Sequence, residues 1–352
     1  MVIYALFISI LLLFYLILAN YKKGSKSRDR LESWFCNFAF AGIVFLAAFR
    51  GRSVGADTGG YMLQYSELHY YTFAGVMDKY HGYEFFYLVA KFFSLMKMPI
   101  WVWFGFIEFF YVTAIRRLIY RFSCDKLYSI MIFVSIGLFG FSLAGLKQVL
   151  AMALILHAFL FFVEKKYLWS VLFIVLTYYT HPVSLIFVFG FVLYLLRNKK
   201  YYYLILLFIV IVVVFGAMST MSFLVDLLNQ DHFGVYLNEE GTYTASTLIF
   251  YLLLLAISIP FCKQYFKEQV LAKVFLGFLI VACSLQSLAS ISNNLFRLAY
   301  LYTPFYLVFL PNAFDKNNTQ FSRSAKIIGL FGAIFFWLYA ARGFHFTFIW
   351  QD

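Results

Sequence analysis

Residues 50–65, RGRSVGADTGGYMLQY, bring together side chains that could bind and transform a phosphate ester. Arg50 and Arg52 supply cations for phosphate oxygens, and Asp57 supplies a carboxylate that could accept a proton. Thr58 and Tyr61 add hydroxyl groups that could position a ligand. The four glycines of this stretch allow backbone N–H groups to approach a phosphate closely. The stretch is therefore the first candidate site.

Three further stretches place polar groups at the ends of apolar segments. LAGLKQVLAMA has Lys147 and Gln148 at the start of an expected helix, and YYTHPVSL has His181 between two apolar runs. A histidine titrates near neutral pH, which suits proton transfer. The last stretch, SISNNLFRLAYLYTPFY, contains Asn294, Arg297 and Tyr300. We expect all four stretches to contribute to one site.

The elements that position these residues are predicted to be membrane helices. Of the 352 residues, 64% are hydrophobic and only 12% are charged, whereas a soluble domain has roughly 25% charged residues. A soluble fold could not bury so much apolar surface. The sequence therefore predicts an all-α, polytopic integral membrane protein that forms one domain over residues 1–352. The net charge of +12 belongs to membrane loops in this interpretation, so we expect no nucleic acid as a partner.

The apolar runs predict about twelve transmembrane helices. They cover approximately residues 2–19, 33–49, 100–115, 128–144, 148–163, 167–180, 183–196, 202–218, 245–261, 271–290, 295–311 and 327–341. Segment 82–98 carries Glu84, Lys91 and Lys97 on a helical repeat. We interpret it as an amphipathic helix that is interfacial or re-entrant, because charges facing lipid are costly.

The loops between these runs differ in charge. Most of the 28 basic residues fall on one set of alternate loops, which the positive-inside rule assigns to the cytoplasm. Both termini, the loops 50–81 and 219–244, and all four candidate stretches are then extracytoplasmic. The 14-residue runs that flank His181 are about 21 Å long as helices, shorter than the roughly 30 Å hydrocarbon core. If they meet at His181, it lies on the floor of a polar cavity.

The composition of the candidate site favours one class of substrate. The sequence has no P-loop, no GxGxxG after a strand and no HExxH motif. The four cysteines share no short spacing, so we expect neither a disulfide framework nor a metal site. Cations, a carboxylate and a histidine at the outer leaflet suit a substrate with its own leaving group. A polyprenyl pyrophosphate carrying a sugar chain is such a substrate.

The order of these motifs resembles that of the bacterial EpsG/Wzy polysaccharide polymerases. The similarity lies in R-x-R-x-V-G-x-D-T-x-x-Y, a basic residue followed by Gln at a helix start, THPVSL and NNLFRLAYLYTPFY. The family's outer-loop arginine and aspartate fall on Arg52 and Asp57, and its histidine and late arginine fall on His181 and Arg297. Lys147-Gln148 stands where the family often has Arg-Gln. Lysine keeps the positive charge but loses the planar fork of arginine.

The resemblance implies polymerisation of polyprenyl-pyrophosphate-linked repeat units for O-antigen, capsule or exopolysaccharide. The protein would then lie in the bacterial cytoplasmic membrane and use no metal or other cofactor. Its partners would be the lipid-linked oligosaccharide, membrane lipids and a chain-length regulator protein. A GT-C-like arrangement is one form that such a helical fold could take.

The candidate residues receive distinct roles in this hypothesis. We expect Arg52, Lys147 and Arg297 to bind the pyrophosphate, with Arg297 also stabilising charge on the leaving group. Asp57 or His181 is the base, and this choice stays open. The remaining candidates would contact or position the substrate, and these are Arg50, Thr58, Tyr61, Gln148, Asn294 and Tyr300.

Other interpretations stay open at this point. A flippase or other transporter of lipid-linked oligosaccharide would place charged residues at mid-bilayer. Glu108 is the only charged residue that lies plainly inside an apolar run, and it could pair with a nearby arginine or tyrosine. A sugar O-acyltransferase would also use histidine and arginine, although its acyl donor is usually cytoplasmic. Arg50, at a helix end, also suits anchoring to lipid phosphates.

Overall fold

The protein is helical throughout the part of the chain that the structure describes. A computed structural model describes residues 2–19, 25–215, 245–290, 293–317, 319–341 and 345–351. Within these ranges the regular elements are α-helices and short 3-10 helices, and the isolated backbone bridge joins Arg50 and Phe348. The all-α prediction is therefore confirmed. The predicted outer loop 219–244 lies outside the described residues.

The chain forms two compact units, of which the first comprises Met1–His181 and Leu330–Asp352. The α-helices of its N-terminal part are, in order, α1 (Val2–Ala19), α2 (Lys26–Ala48), α3 (Thr58–Glu67), α4 (Phe73–Lys79), α5 (Glu84–Leu95), α6 (Ile100–Phe122), α7 (Lys126–Ser135), α8 (Leu138–Ser142), α9 (Leu146–Val163) and α10 (Tyr167–Thr180). The single membrane domain that the sequence suggests stays a prediction.

The second unit, Pro182–Gly329, is organised around one buried helix. Its α-helices are α11 (Val188–Leu195), α12 (Tyr202–Phe215), α13 (Ser246–Ser258), α14 (Cys262–Glu268), α15 (Leu271–Gln286) and α16 (Tyr306–Asn317). Helix α17 (Gln320–Ala340) begins in this unit, and its last residues belong to the first. Helix α15 contacts α11, α12, α13, α16 and the 3-10 helix Asn293–Leu301, so it forms the core of the unit.

Five helices of the described chain are long and apolar enough to cross a membrane. They are Lys26–Ala48, Leu146–Val163, Ser246–Glu268, Leu271–Ser290 and Gln320–Ala340. Shorter apolar helices include α1, α10 and α12. These features are typical of a multi-pass membrane protein. Twelve crossings and a GT-C-like arrangement stay predictions.

Two runs that the sequence predicts as single spans are interrupted. Run 128–144 forms α7 and α8, which are separated at Gly137, where φ is +90°; glycine adopts this left-handed conformation without steric penalty. Run 295–311 forms 3-10 helix as far as Leu301, and α16 begins only at Tyr306. Pro304 lies in the intervening turn, and its missing N–H disfavours continuous α-helix there.

Helix α5 confirms a helix in segment 82–98, but two of the predicted interfacial charges point into protein. Lys91 is buried, and its Nζ donates to the carbonyl oxygens of Leu68 and Tyr71. Glu84 is also buried, with Oε1 2.8 Å from His81 Nδ1. These charges therefore satisfy polar groups of the preceding loop. The interfacial location of the helix stays a prediction.

Helix α9 fixes the position of the second candidate stretch. It is the most enclosed of the candidate spans, with 78% of its length buried, and it contacts both α6 and α10. The imidazole of His157 lies 5.1 Å from the ring of Phe110 on α6 and 5.7 Å from that of Phe173 on α10. Because α9 is held on both sides, its N-terminal residues have a defined place in the first unit.

Candidate active site

Gly55 brings the first and second candidate stretches together. Its φ is +86°, and a Cβ built on it would lie 2.2 Å from the carbonyl oxygen of Leu143, just before α9. The adjacent helix start adds a polar contact, because Thr58 Oγ1 lies 3.1 Å from the same oxygen and also contacts the carbonyl of Val54. The stretch 50–61 is thus docked against the segment that leads into Lys147.

Arg50 occupies an interior position in this motif, so the structure differs from the expectation of a substrate-binding side chain. It is fully buried, its Nη1 donates to Ala47 O at 2.6 Å, and its Nε donates to Thr58 Oγ1 at 3.3 Å. Its Cζ lies 4.1 Å from the ring centroid of Phe104. Burial lowers the pKa of Arg50 to about 10, so the guanidinium is still charged at neutral pH.

The C-terminal segment pairs with the backbone around Arg50. Gly51 N donates to Thr347 O at 2.8 Å, and Ile349 N donates to Phe49 O at 2.9 Å. These bonds lay residues 347–349 across the backbone on both sides of Arg50. The Arg50 side chain itself is fully buried, which rules out lipid anchoring by Arg50 in this conformation.

Glu108 is a buried carboxyl group close enough to this arginine to interact with it electrostatically. It is buried within α6, and its Oε1 accepts a hydrogen bond from Ser142 Oγ at 3.0 Å. It also interacts electrostatically with Arg50. Within the described ranges, Glu108 Oε2 and Arg50 Nη2 have no hydrogen-bond partner. The pairing with an arginine that the sequence suggested is therefore electrostatic, and it holds the segments around Arg50 and Ser142 together.

Lys147 and His181 both contact the ring of Tyr83, a residue that the sequence did not single out. Lys147 Nζ lies 4.0 Å from the Tyr83 ring centroid, and the His181 ring centroid lies 5.9 Å from it. Tyr83 precedes α5 and follows Gly82, whose φ is +82°. In the sequence, Gly82 before an expected helix predicts a turn at this point. It does not predict that Lys147 and His181 lie beside Tyr83.

Three other candidates of the first unit, Arg52, Asp57 and Tyr61, lie in or just before α3, and Gln148 lies on α9. Arg52 is exposed, and its side chain packs over Gly59. Asp57 is half-buried immediately before α3, where the positive end of the helix dipole favours a carboxylate. Tyr61 is buried, with its ring 5.7 Å from that of Phe86. Gln148 is buried at the start of α9.

The remaining candidates belong to the second unit. Arg297 and Tyr300 lie on the 3-10 helix Asn293–Leu301, and their spacing of three places them on one face of such a helix. Their side chains interact electrostatically, and Tyr300 hydrogen-bonds Tyr251 on α13. Asn294 is part of the same helix, but its side chain lies outside the described residues.

The described residues contain no group of three or more His, Cys, Asp or Glu side chains arranged to hold a metal ion. Within this part of the chain the four cysteines form no disulfide; Cys36, Cys262 and Cys283 are buried, and Cys124 is exposed. The functional groups of the candidate site are lysine, arginine, histidine, carboxylate and phenol side chains. Such a set can bind an anion and accept a proton.

Comparison with known proteins identifies the family. The model of the EpsG family matches residues 33–349, most of the chain, and includes all of the candidate residues. No curated protein and no solved structure matches this sequence. The family is associated with polysaccharide polymerisation, a glycosyltransferase-like activity. With the resemblance of its motifs confirmed by a match over this length, the chain belongs to the EpsG family.

Proposed function

We propose that the protein polymerises polyprenyl-pyrophosphate-linked oligosaccharide repeat units at the outer face of the cytoplasmic membrane. The growing glycan on its polyprenyl pyrophosphate is the donor, and the non-reducing end of a new lipid-linked unit is the acceptor. The acceptor oxygen forms a bond to the anomeric carbon of the donor. The bond from that carbon to the pyrophosphate oxygen breaks, and polyprenyl pyrophosphate leaves with its electron pair.

The observation that carries this proposal is the meeting of Lys147 and His181 on one aromatic ring, in the same unit as the docked stretch 50–61. Lys147 and Arg52 bind pyrophosphate oxygens and stabilise the negative charge that develops on the leaving group. His181 or Asp57 takes the proton of the attacking hydroxyl. Tyr61 and Gln148 position the sugar.

Arg50 and Thr58 have a different role in the proposal from the one the sequence suggested. Both side chains are fully buried and hydrogen-bonded to each other. They hold the glycine-rich stretch in place, so that Arg52 and Asp57 are presented to the ligand. Arg297 keeps the role of a pyrophosphate ligand that the sequence suggested, and Tyr300 and Asn294 keep the role of substrate-binding residues.

The surface of the first unit suits contact with membrane lipid. An apolar groove of about 590 Å³ lies between α2 and α6, and Phe40, Phe45 and Phe109 are among the residues that line it. Such a surface favours hydrocarbon over water. The groove supports membrane lipids as partners; the lipid-linked oligosaccharide and a chain-length regulator protein are the other partners in the proposal.

The test is extension of a lipid-linked repeat unit by the purified protein in lipid nanodiscs. We expect long polymer together with free polyprenyl pyrophosphate. The variant Arg297→Ala should leave only single-unit products, and Arg297→Lys should be nearly as damaging, because lysine lacks the bidentate fork. Loss of one charge-assisted contact of this kind should lower kcat/KM by at least about tenfold.

The matched control is Arg197→Ala, an arginine of the same unit whose side chain lies over its neighbour Tyr194 and which the charge pattern places on the cytoplasmic side. This variant should make polymer of normal length. Normal chain length with Arg297→Ala would exclude its proposed role. Translocation of the lipid-linked oligosaccharide without extension would instead indicate a transporter, and transfer of an acyl group would indicate an acyltransferase.

A further inference from the structure

Tyr83 connects two residues that are distant in sequence and have complementary chemistry. Lys147 stands at the start of α9, and His181 ends α10. The distances of 4.0 Å and 5.9 Å to the Tyr83 ring limit the separation of the ammonium from the imidazole centroid to about 10 Å. A single glycosyl phosphate could therefore touch both groups, one at its phosphate and the other at the reacting sugar.

Side chains other than that of Tyr83 also hold α5 in place. Helix α5 is fixed by Tyr87, whose hydroxyl donates to Gln64 Oε1 at 2.7 Å and whose ring stacks on Tyr80 at 3.6 Å. It is fixed again one turn later by Lys91, which donates to the carbonyl of Leu68 at 3.1 Å. Tyr83 is half-buried at the end of the helix. Its ring contacts Lys147 and His181 and can orient both side chains.

We propose that Tyr83 is a positioning residue that sets the place of Lys147 and His181 for a glycosyl pyrophosphate; this inference rests on the proposed function. The face of an aromatic ring attracts an ammonium group. An ammonium held by one face still has N–H donors that point away from the ring and can bind phosphate oxygens. The same ring limits the positions open to the imidazole. Tyr83 thus acts through Lys147 and His181 and not on the substrate itself.

The test compares aromatic with aliphatic replacements in the nanodisc polymerisation assay. Tyr83→Phe and Tyr83→Trp keep the ring face, and we expect a KM for the lipid-linked donor close to that of the wild type. Tyr83→Leu removes the ring, and we expect the KM to rise by about tenfold. In a Lys147→Met background, Tyr83→Leu should raise KM by clearly less than tenfold, because the ring has lost its cation and acts only through His181.

Tyr71→Leu is the matched control. Tyr71 is also half-buried, and it also has a lysine over its ring, with Lys79 Nζ 4.3 Å from the centroid. It lies outside the proposed site, so this variant should have normal KM and kcat. If Tyr83→Leu does not give monodisperse protein, the comparison of Tyr83→Trp with Tyr83→His replaces it, with elution volume as the check of folding.

The possible results separate this inference from the proposed function. A normal KM for Tyr83→Leu, with Lys147→Met and His181→Ala impaired, overturns the role of Tyr83 alone. Equal damage by Tyr83→Phe and Tyr83→Leu also overturns it, because a hydroxyl and not the ring would then matter. Normal polymerisation by Lys147→Met and His181→Ala overturns the proposed site, whatever the result at Tyr83.

Discussion

At the scale of single residues, Arg50 is a buried cation whose removal should damage stability. Arg50→Met removes the hydrogen bonds to Ala47 O and Thr58 Oγ1 and leaves Glu108 without its neighbouring positive charge. Leaving a buried hydrogen-bonding group without its partner typically destabilises a protein by about 1–3 kcal/mol. We expect a clearly lower Tm in detergent, measured by loss of the monodisperse peak after heating.

A second substitution should restore part of this loss. Glu108→Gln replaces the buried carboxyl group that interacts electrostatically with Arg50 by an uncharged amide, so Arg50→Met/Glu108→Gln should have a higher Tm than Arg50→Met alone. Arg30→Met is the control, because Arg30 is exposed on α2 and should tolerate the change. A double variant no more stable than Arg50→Met would show that the two charges are not coupled.

Arg50 and Tyr83 also show what could be read from the sequence and what could not. The sequence places Arg50 correctly beside a glycine-rich motif at the end of an apolar run. It cannot show that residues 347–349 pair with the backbone beside this arginine, because that contact joins segments about three hundred residues apart. Tyr83 looks like an ordinary tyrosine in a loop. Its importance comes from α9 and α10, which bring Lys147 and His181 to its ring.

At the scale of elements, the turn at Gly55 determines whether the two candidate stretches meet. Gly55→Ala would force a side chain into a left-handed conformation and place its Cβ 2.2 Å from Leu143 O. The backbone there must shift, since positive φ at a residue with a Cβ is strained by about 1–2 kcal/mol even without the clash. We expect loss of long polymer in cells, read from the length distribution on a gel.

Gly60→Ala provides the comparison for this prediction. Gly60 lies within α3, and a Cβ added to it meets nothing within 4 Å. Alanine favours the helix over glycine by up to about 1 kcal/mol, so this variant should keep normal polymer length. If both variants, or neither, lost polymer, close contact between Gly55 and Leu143 would not be what the activity requires.

Hydropathy predicts the positions of the helices better than their interruptions, and the reason is physical. Hydropathy reports the energy of burial in an apolar medium, and it located α2, α9, α10 and α15 well. It does not report backbone geometry. Hydropathy therefore does not detect the turn at Gly137 or the 3-10 segment around Pro304. The residue types could have suggested both breaks, because glycine and proline interrupt helices.

At the scale of the whole molecule, charge distribution is the property that orients the proposed chemistry. The basic loops are predicted to be cytoplasmic and the glycine-rich stretch extracytoplasmic. The proposed reaction depends on this orientation, because lipid-linked repeat units would be joined only at the leaflet to which the candidate site opens. A reversed orientation would leave the side-chain contacts of each unit unchanged but would place the site at the wrong leaflet.

The orientation can be tested with the cysteines that the protein already has. Cys124 is exposed between Arg121 and Lys126, on a predicted cytoplasmic loop, whereas the other three cysteines are buried. A membrane-impermeant maleimide should therefore label the wild type in inverted membrane vesicles and not in right-side-out vesicles. In a Cys124→Ser background, Ala56→Cys should show the opposite pattern, because Ala56 is exposed in the glycine-rich stretch.

Cys124→Ser alone is the blank and should not be labelled from either side. Labelling of Cys124 and of Ala56→Cys from the same side would place the basic loop and the candidate site together, and a site at the outer leaflet would then be incompatible with the positive-inside assignment.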